Sequence, residues 1–166
     1  MIDPDYVRAM ARYNRWQNGS LYAAADALSD EARRQDRGAF FKSIHATLNH
    51  LLWADTMWMS RFSDAPRPTG TLRDSVLFVD DWTTLKPERV AMDDRIAAWA
   101  EGVDAAALSG ELQWRSSIGT NMVKPRWLAV AHFFNHQTHH RGQVHAMLTA
   151  AGARPEDTDL VMLQLD

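Results

Sequence analysis

The chain has 166 residues, 46% of them hydrophobic, and its 18 basic and 21 acidic side chains give a formal net charge of −3. This length and composition predict a single folded domain over residues 1–166 with a sizeable core, and they argue against a disordered chain. Because the charge is balanced and no apolar run reaches the roughly 18 residues of a membrane span, we expect neither nucleic acid nor a membrane as a partner. The start of the chain lacks the apolar region of a signal peptide, which favours a cytoplasmic location.

Apolar residues recur at three- and four-residue spacings along most of the chain, which is the pattern of amphipathic helices. The periodicity predicts four long helices, at residues 4–28, 40–63, 87–107 and 125–151. Pro4, which follows Asp3, is a signal for the start of the first helix, and Pro125 lies near the start of the last helix, where proline is favoured. Gly152 follows the end of the last helix. The polar segment 29–38 and the segment 63–71, which contains Pro and Gly, are predicted as connections.

A different pattern interrupts the helices at residues 111–125. The stretches LQWRS and TNMVK flank Ser117, Ile118 and Gly119, which predicts a short hairpin. After Gly152, the stretch TDLVMLQL is predicted to form a short packing helix or an extended arm. Four long helices and one short hairpin together predict an all-α fold, a four-helix bundle.

Histidines are concentrated in the last predicted helix, where FFNHQTHHRGQVH contains four of the chain's seven. Since each helical residue advances about 100°, His132 and His140 lie about 40° to either side of His136, and His139 lies about 60° away. His145 points to the opposite face. Two imidazoles at i and i+4 can bind one metal ion. The spacing leaves 132/136 and 136/140 as equally good pairs.

A third ligand is available on the second predicted helix, which carries the two remaining histidines, His45 and His50. His50 stands in the apolar stretch TLNHLLWAD, where a buried imidazole needs a partner. Because His45 lies about 140° around the helix from His50, we expect only one of them to face the core. Three neutral imidazoles with an open position are typical of catalytic metal sites.

Two other kinds of metal site are excluded because the carboxylates that they need are absent from the required positions. A di-iron bundle needs Glu-x-x-His motifs, but the last helix contains no Asp or Glu. A HExxH metalloprotease is excluded because Gln137 occupies the position of its general base.

Alternatives for individual side chains stay open at this point. The histidines could be core residues that bond to backbone carbonyls, and His132 and His139 are expected to support ligands or to pack. The amides of Asn135 and Gln143 could orient ligands or be solvated on the helix surface. A buried ion pair between helices is conceivable for Arg141 and Asp55.

Three blocks of the sequence resemble helices of the DinB/YfiT-like family of metal-dependent bacterial proteins, which is distinct from the DNA polymerase of similar name. They are YNRWQN at 13–18, SIHATLNHLLWADTMWMSRF at 43–62 and FNHQTHHRGQVHAMLTAAG at 134–152. The resemblance implies an up-down-down-up bundle with a short fifth helix, often dimeric. It also implies one divalent metal ion per chain, nickel or zinc. The ligands at the matching positions are His50, His136 and His140, which selects the 136/140 pair.

The resemblance also indicates a class of reaction. Related branches transfer or isomerise groups with low-molecular-weight thiols such as bacillithiol, mycothiol or glutathione. Because this chain has no cysteine, a reactive thiolate would have to come from such a cosubstrate. Gly142 stands where the sulfoxide-forming relatives have Glu, which argues against that branch. We therefore expect a thiol-dependent transferase acting on a small molecule. The alternatives are a metal-dependent hydrolase and a non-enzymatic, dimeric metal-binding stress protein.

Overall fold

A computed structural model of the protein describes residues 2–116 and 119–164. Within them the chain is mostly helical, as predicted, with one small antiparallel sheet. The helices are α1 (Pro4–Asp26), α2 (Asp30–Arg34), α3 (Ile44–Phe62), α4 (Trp82–Glu101) and α5 (Arg126–Ala150). The strands are β1 (Glu111–Arg115) and β2 (Asn121–Pro125), and short 3-10 helices lie at Asp74–Leu77 and Leu160–Met162.

Side chains that accept hydrogen bonds from first-turn N–H groups explain where three of the four long helices begin. Asp3 caps α1 ahead of Pro4, as predicted, and Ser43 caps α3. The third long helix was predicted at 87–107, but Asp81 caps it and it runs from Trp82 to Glu101. It begins earlier because the Asp81 side chain accepts from the N–H of Thr84.

The connection between α1 and α3 is more ordered than its polar composition predicts, since α2 lies within it. Ser29 caps this helix by accepting from the N–H of Ala32. Arg33 is buried, its guanidinium carbon lying 4.5 Å from the centroid of the Trp82 ring and its N–H groups donating to the carbonyls of Leu28 and Ala25. These contacts replace solvation of the Arg33 charge and hold the short helix against α4.

The predicted hairpin is confirmed, because β1 and β2 pair antiparallel with Trp114 opposite Met122. Its proposed turn includes Ser117 and Ile118, which lie outside the described residues. The Trp114 ring packs against Trp58 of α3 with centroids 5.6 Å apart, which places the hairpin beside that helix. In the tail, where a short packing helix or an extended arm was predicted, a 3-10 helix forms at Leu160–Met162, but its side chains are exposed rather than packed. Residues 165–166 lie outside the description.

Helices α3 and α4 contact each other at both ends. Near their starts the rings of His45 and Trp82 have centroids 6.4 Å apart, and near their ends Phe62 stacks on Trp99 at 5.3 Å. Helices α1 and α4 also pack together, with the ring of Tyr22 stacked on Trp82 at 5.4 Å.

Helix α5 contacts both α1 and α3. The ring of Tyr6, near the start of α1, meets Phe134 at 6.2 Å, and further along the guanidinium of Arg141 lies 5.3 Å from the centroid of the Tyr13 ring. The most completely buried side chains come from all four long helices, which therefore share one core; they include Leu21, Leu48, Ile96, Phe133 and Leu148.

A buried ion pair crosses this core, but its partners differ from the prediction. Asp55 accepts from Arg89 at 2.7 Å and from the amide of Gln137 at 3.0 Å, so it pairs with α4. Arg141, the predicted partner, instead donates to the side-chain oxygens of Asn14 and Thr138. Sequence spacing could not choose between two arginines on different helices.

None of the helices in the described part of the chain combines the length and the apolar character that a membrane span requires.

Candidate metal centre

The structure brings together His50 of α3 with His136 and His140 of α5. One ring nitrogen from each lies within 4.8 Å of the others. The Nε2 atoms of His50 and His136 are 3.3 Å apart, and the ring centroids of His136 and His140 are 4.5 Å apart. One helical turn separates the two α5 histidines, and packing of α3 on α5 supplies the third imidazole from across the core.

A serine in the segment before α4 determines the tautomer of His50. Nδ1 of His50 lies 3.0 Å from Oγ of Ser75, and that hydroxyl donates its only proton to the carbonyl of Leu72 at 2.7 Å. The hydroxyl therefore accepts, and Nδ1 of His50 carries the proton. The lone pair of His50 is left on Nε2, the atom that faces His136.

An amide on α5 determines the tautomer of His140. Nδ1 of His140 lies 2.8 Å from Oε1 of Gln143, which can only accept, so the proton of His140 is on Nδ1. The NH₂ group of Gln143 points to Nε2 of His139 at 3.3 Å, which agrees with this orientation of the amide. Of the two amides considered, Gln143 therefore contacts a candidate ligand, whereas Asn135 donates to the carbonyl of Ala131 in its own helix.

The surroundings keep these imidazoles neutral. Burial, followed by repulsion from neighbouring histidines, lowers the pKa of both His50 and His136 to about 3. Burial also lowers the pKa of His140, partly opposed by its bond to Gln143. Neutral imidazole is the form that binds metal ions, so the site is in its ligand form at neutral pH.

The geometry fits a small divalent ion. Two nitrogens that bind one tetrahedral ion at 2.0–2.1 Å are about 3.3 Å apart, which is the separation of the Nε2 atoms of His50 and His136. Nδ1 of His136 is buried without a hydrogen-bond partner among the described residues. Unlike His50 and His140, His136 therefore has no side chain among these residues that holds a proton on Nδ1. The residues present therefore fit a divalent metal ion.

His45 illustrates the alternative of an ordinary core histidine. Its Nε2 lies 2.9 Å from the carbonyl oxygen of Asp80, and burial lowers its pKa. The expectation that only one of His45 and His50 faces the interior is wrong, since both are buried. The residues leading into α4 cover His45, an arrangement that the helical position of His45 alone does not reveal.

The other histidines of α5 lie outside the cluster. The ring of His132 is 5.9 Å from that of His136 and 5.1 Å from Trp58, and His139 is exposed. His145 lines a separate cavity with Arg141, in agreement with its predicted position on the far side of the helix. Between the two equally spaced pairs, 136/140 is the one that meets His50.

A cavity of about 320 Å³ opens beside the cluster, a volume at the lower end of the range of small-molecule sites. His50, His136 and His132 line it together with three tryptophans and part of the segment between α3 and α4. The tryptophans are Trp53, Trp58 and Trp114.

The segment between α3 and α4 is held over the cavity by specific bonds. The indole of Trp53 donates to the carbonyl of Thr69 at 3.1 Å, and Asp74 accepts from the N–H and hydroxyl of Thr71. Gly70 between them has φ +79, a left-handed conformation that favours glycine. These bonds fix the turn that leads to Ser75.

Two residues of the site could not be predicted from sequence. Ser75 lies in a connection without periodicity, and Phe41 lies in a loop, where its ring stacks on His50 at 4.0 Å and approaches His140 at 5.3 Å. No local pattern marks either residue, because each reaches the site through tertiary contacts.

Comparisons with known proteins show the family of the chain. A family model described as the DinB family matches residues 1–165. The chain is similar to Protein DinB of Bacillus subtilis (strain 168), with 26% identity over 162 residues, covering 93% of this chain and 91% of that protein. No solved structure matches the chain. Since the family model covers nearly every residue, the chain belongs to the DinB family.

Proposed function

We propose that this protein is a divalent-metal-dependent enzyme with one metal ion per chain, held by Nε2 of His50, His136 and His140. The observation that carries the proposal is the convergence of three neutral imidazoles, two of which have their Nδ1 protons held by Ser75 and Gln143. Partners that hold the second nitrogen of a histidine are typical of metal sites. Imidazole ligands suit nickel and zinc alike.

We propose further that the enzyme transfers groups with the help of a low-molecular-weight thiol. When bound, the metal would act as a Lewis acid and lower the pKa of the thiol. The chain has no cysteine, so the thiol must enter from solution, and the cavity beside His50 and His136 provides room for it. Three tryptophans, Trp53, Trp58 and Trp114, form part of the wall of this cavity beside the histidines.

The residues of the chain have distinct parts in this proposal. Ser75 and Gln143 keep the lone pairs of His50 and His140 on Nε2. Phe41 covers one face of the His50 ring, which limits its rotation and its contact with water. The protein therefore preorganises the ligands before any metal or thiol arrives.

We also propose the up-down-down-up order for the four long helices. Helices α3 and α4 contact each other start to start and end to end, which supports a parallel pair. The contacts of α1 with α5 advance in the same direction along both helices, which supports a second parallel pair. Antiparallel packing between the pairs is supported by α3 and α5, where Trp58 meets His132 and His50 meets His140.

The decisive experiment begins with protein purified without a His-tag or a metal column. We expect elemental analysis to show about one nickel or zinc per chain, and His136→Ala to remove it. The loaded protein is then supplied with a model electrophile and bacillithiol, mycothiol or glutathione in turn. Turnover that requires one thiol and is lost in His136→Ala supports the transferase. Metal binding without thiol-dependent turnover would contradict the transferase, and turnover of ester or amide substrates without thiol would indicate the hydrolase.

A further inference from the structure

The cavity beside the histidines is lined by two arginines as well. Arg61 lies near the end of α3 and Arg67 in the segment that follows, and both reach the same cavity as His50 and His136. The guanidinium carbon of Arg61 lies 4.3 Å from the centroid of Trp58, whose ring contacts His132 at 5.1 Å. Positive charge and the histidine cluster therefore line one cavity.

These two cations have no carboxylate partner within residues 2–116 and 119–164, and no Asp or Glu of that part of the chain lines the cavity. Arg34 and Arg89, by contrast, pair with Asp80 and Asp55 at 2.6 and 2.7 Å. Burial lowers the pKa of Arg61 to about 10, and the positive charge of Arg67 adds to this effect. The charge of Arg67 therefore disfavours the ionised form of Arg61. A negative group between the two guanidinium groups would offset this repulsion.

Much of the remaining wall is apolar, beside the polar side chains of Thr71 and Ser116. Trp53, Trp58 and Trp114 line the cavity with Met57 and Leu72, surfaces that favour an apolar or aromatic body. An anion with such a body would match both parts of the cavity, since arginine binds carboxylates through two parallel N–H groups.

We infer that this cavity is an organic-anion site, with the negative group of the ligand between Arg61 and Arg67 and its apolar body against the tryptophans. The ligand's other end then lies toward His50 and His136. The placement of that end rests on the proposed function, because a ligand placed there would be the substrate or the thiol at the metal. The anion site itself does not depend on a metal.

An alternative role for Arg61 is structural, because its guanidinium also lies 5.6 Å from the centroid of Trp114 and so connects α3 with the hairpin. Arg67 has no such role, since it is exposed and no ring contact involves it among the described residues. Substitutions at Arg67 therefore test the anion site without disturbing the core.

The test uses 3-phenylpropionate and its uncharged amide, 3-phenylpropanamide, as a matched pair of probes. Binding to the full chain is measured by calorimetry and by tryptophan fluorescence, both as purified and after metal removal and dialysis free of chelator. Because the walls contain three tryptophans, a bound probe should change the emission. We expect the carboxylate to bind at least about tenfold more tightly than the amide in both states, with a preference that decreases as salt increases.

Variants assign the preference to the arginines. Arg67→Gln and Arg61→Gln should each weaken carboxylate binding about tenfold, Arg67→Glu should weaken it further, and binding of the amide should change little. Arg73→Gln is the control, since Arg73 is exposed on the same segment and does not line the cavity. If Arg61→Gln fails to fold, the Arg67 series alone decides.

Equal affinity for the two probes, or wild-type carboxylate binding by Arg67→Gln and Arg67→Glu, would overturn the inference. A carboxylate preference in a protein that takes up no metal would support the anion site and contradict the proposed enzyme. Metal uptake without any carboxylate preference would support the metal site of the proposed enzyme and contradict the anion site.

Discussion

Ser75 and His50 form a hydrogen bond of 3.0 Å in which the histidine is the donor, because the Ser75 hydroxyl gives its proton to the carbonyl of Leu72. The bond connects the segment before α4 to the candidate metal site and leaves Nε2 of His50 available as a ligand. Both side chains are buried, so solvent cannot replace either partner without opening the site.

Ser75→Ala should weaken metal binding about 10- to 100-fold, because Nδ1 of His50 loses its acceptor and the ring loses its preferred tautomer and orientation. Affinity is measured by competition with a chromophoric chelator near pH 7.5. Ser60→Ala is the matched control, since the Ser60 hydroxyl bonds to the carbonyl of Met57 in α3 and does not contact the cluster. Wild-type affinity in Ser75→Ala would contradict the assigned role of this bond.

Gln143→Leu should also weaken metal binding by about tenfold or more, because His140 loses the acceptor for its Nδ1 proton. Gln143→Glu preserves an acceptor in the same place, and we expect it to bind metal as tightly as the wild type or more tightly. Asn135→Ala, on the same helix, removes only a bond to the carbonyl of Ala131 and should leave affinity unchanged. Equal loss in the Leu and Glu variants would indicate that the amide acts through packing.

The metal-free protein should lose stability on acidification from pH 6.5 toward pH 3. The pKa of His50 and of His136 falls from 6.5 in the unfolded chain to about 3 in the folded one, so unfolding takes up protons in this window. Each such proton contributes a slope of about 1.4 kcal/mol per pH unit to the free energy of unfolding. Urea unfolding in the presence of chelator at several pH values measures this slope.

Between pH 4.5 and 6.5, where few carboxylates titrate, His136→Gln should show a shallower slope than the wild type. This variant removes one of the protons taken up and also relieves the repulsion that lowers the pKa of His50. Asn135→Ala serves as the control and should keep the wild-type slope. An unchanged slope in His136→Gln would show that this histidine is not held neutral by the fold.

Asp55→Ala should destabilise the protein by about 3–5 kcal/mol, because it leaves the Arg89 charge buried with half of its compensation removed. Asp94→Ala breaks the exposed pair with Arg15 and should cost less than about 1 kcal/mol. The free energy of unfolding from urea titration compares the two variants. Similar losses in both would argue that the buried pair contributes no more than a surface one.

Some features of this protein were determined by local sequence. Helical periodicity located the four long helices, and the i, i+4 spacing on α5 placed His136 and His140 on one face while turning His145 away. Asp3 and Pro4 marked the start of α1 correctly. Such signals are reliable because a helix relates residues three or four apart through its own backbone, independently of the rest of the fold.

Two features of the helices were missed, one for a local reason and one because of a tertiary contact. Asp81 caps α4, so the helix begins at Trp82, and apolar periodicity does not detect a capping residue. The short helix α2 depends on burial of Arg33 against Trp82, a contact with a residue far along the chain. Propensity and apolar spacing alone could not indicate either feature.

Only the tertiary structure decided how distant residues combine. The pairing of Asp55 with Arg89 rather than Arg141, the burial of His45, and the contact of Ser75 with His50 all join different segments of the chain. The sequence by itself determined which side chains share a face of one helix, because that geometry is local. Which faces meet depends on how the helices and their connections pack into one core, and this packing places His50 opposite the two histidines of α5.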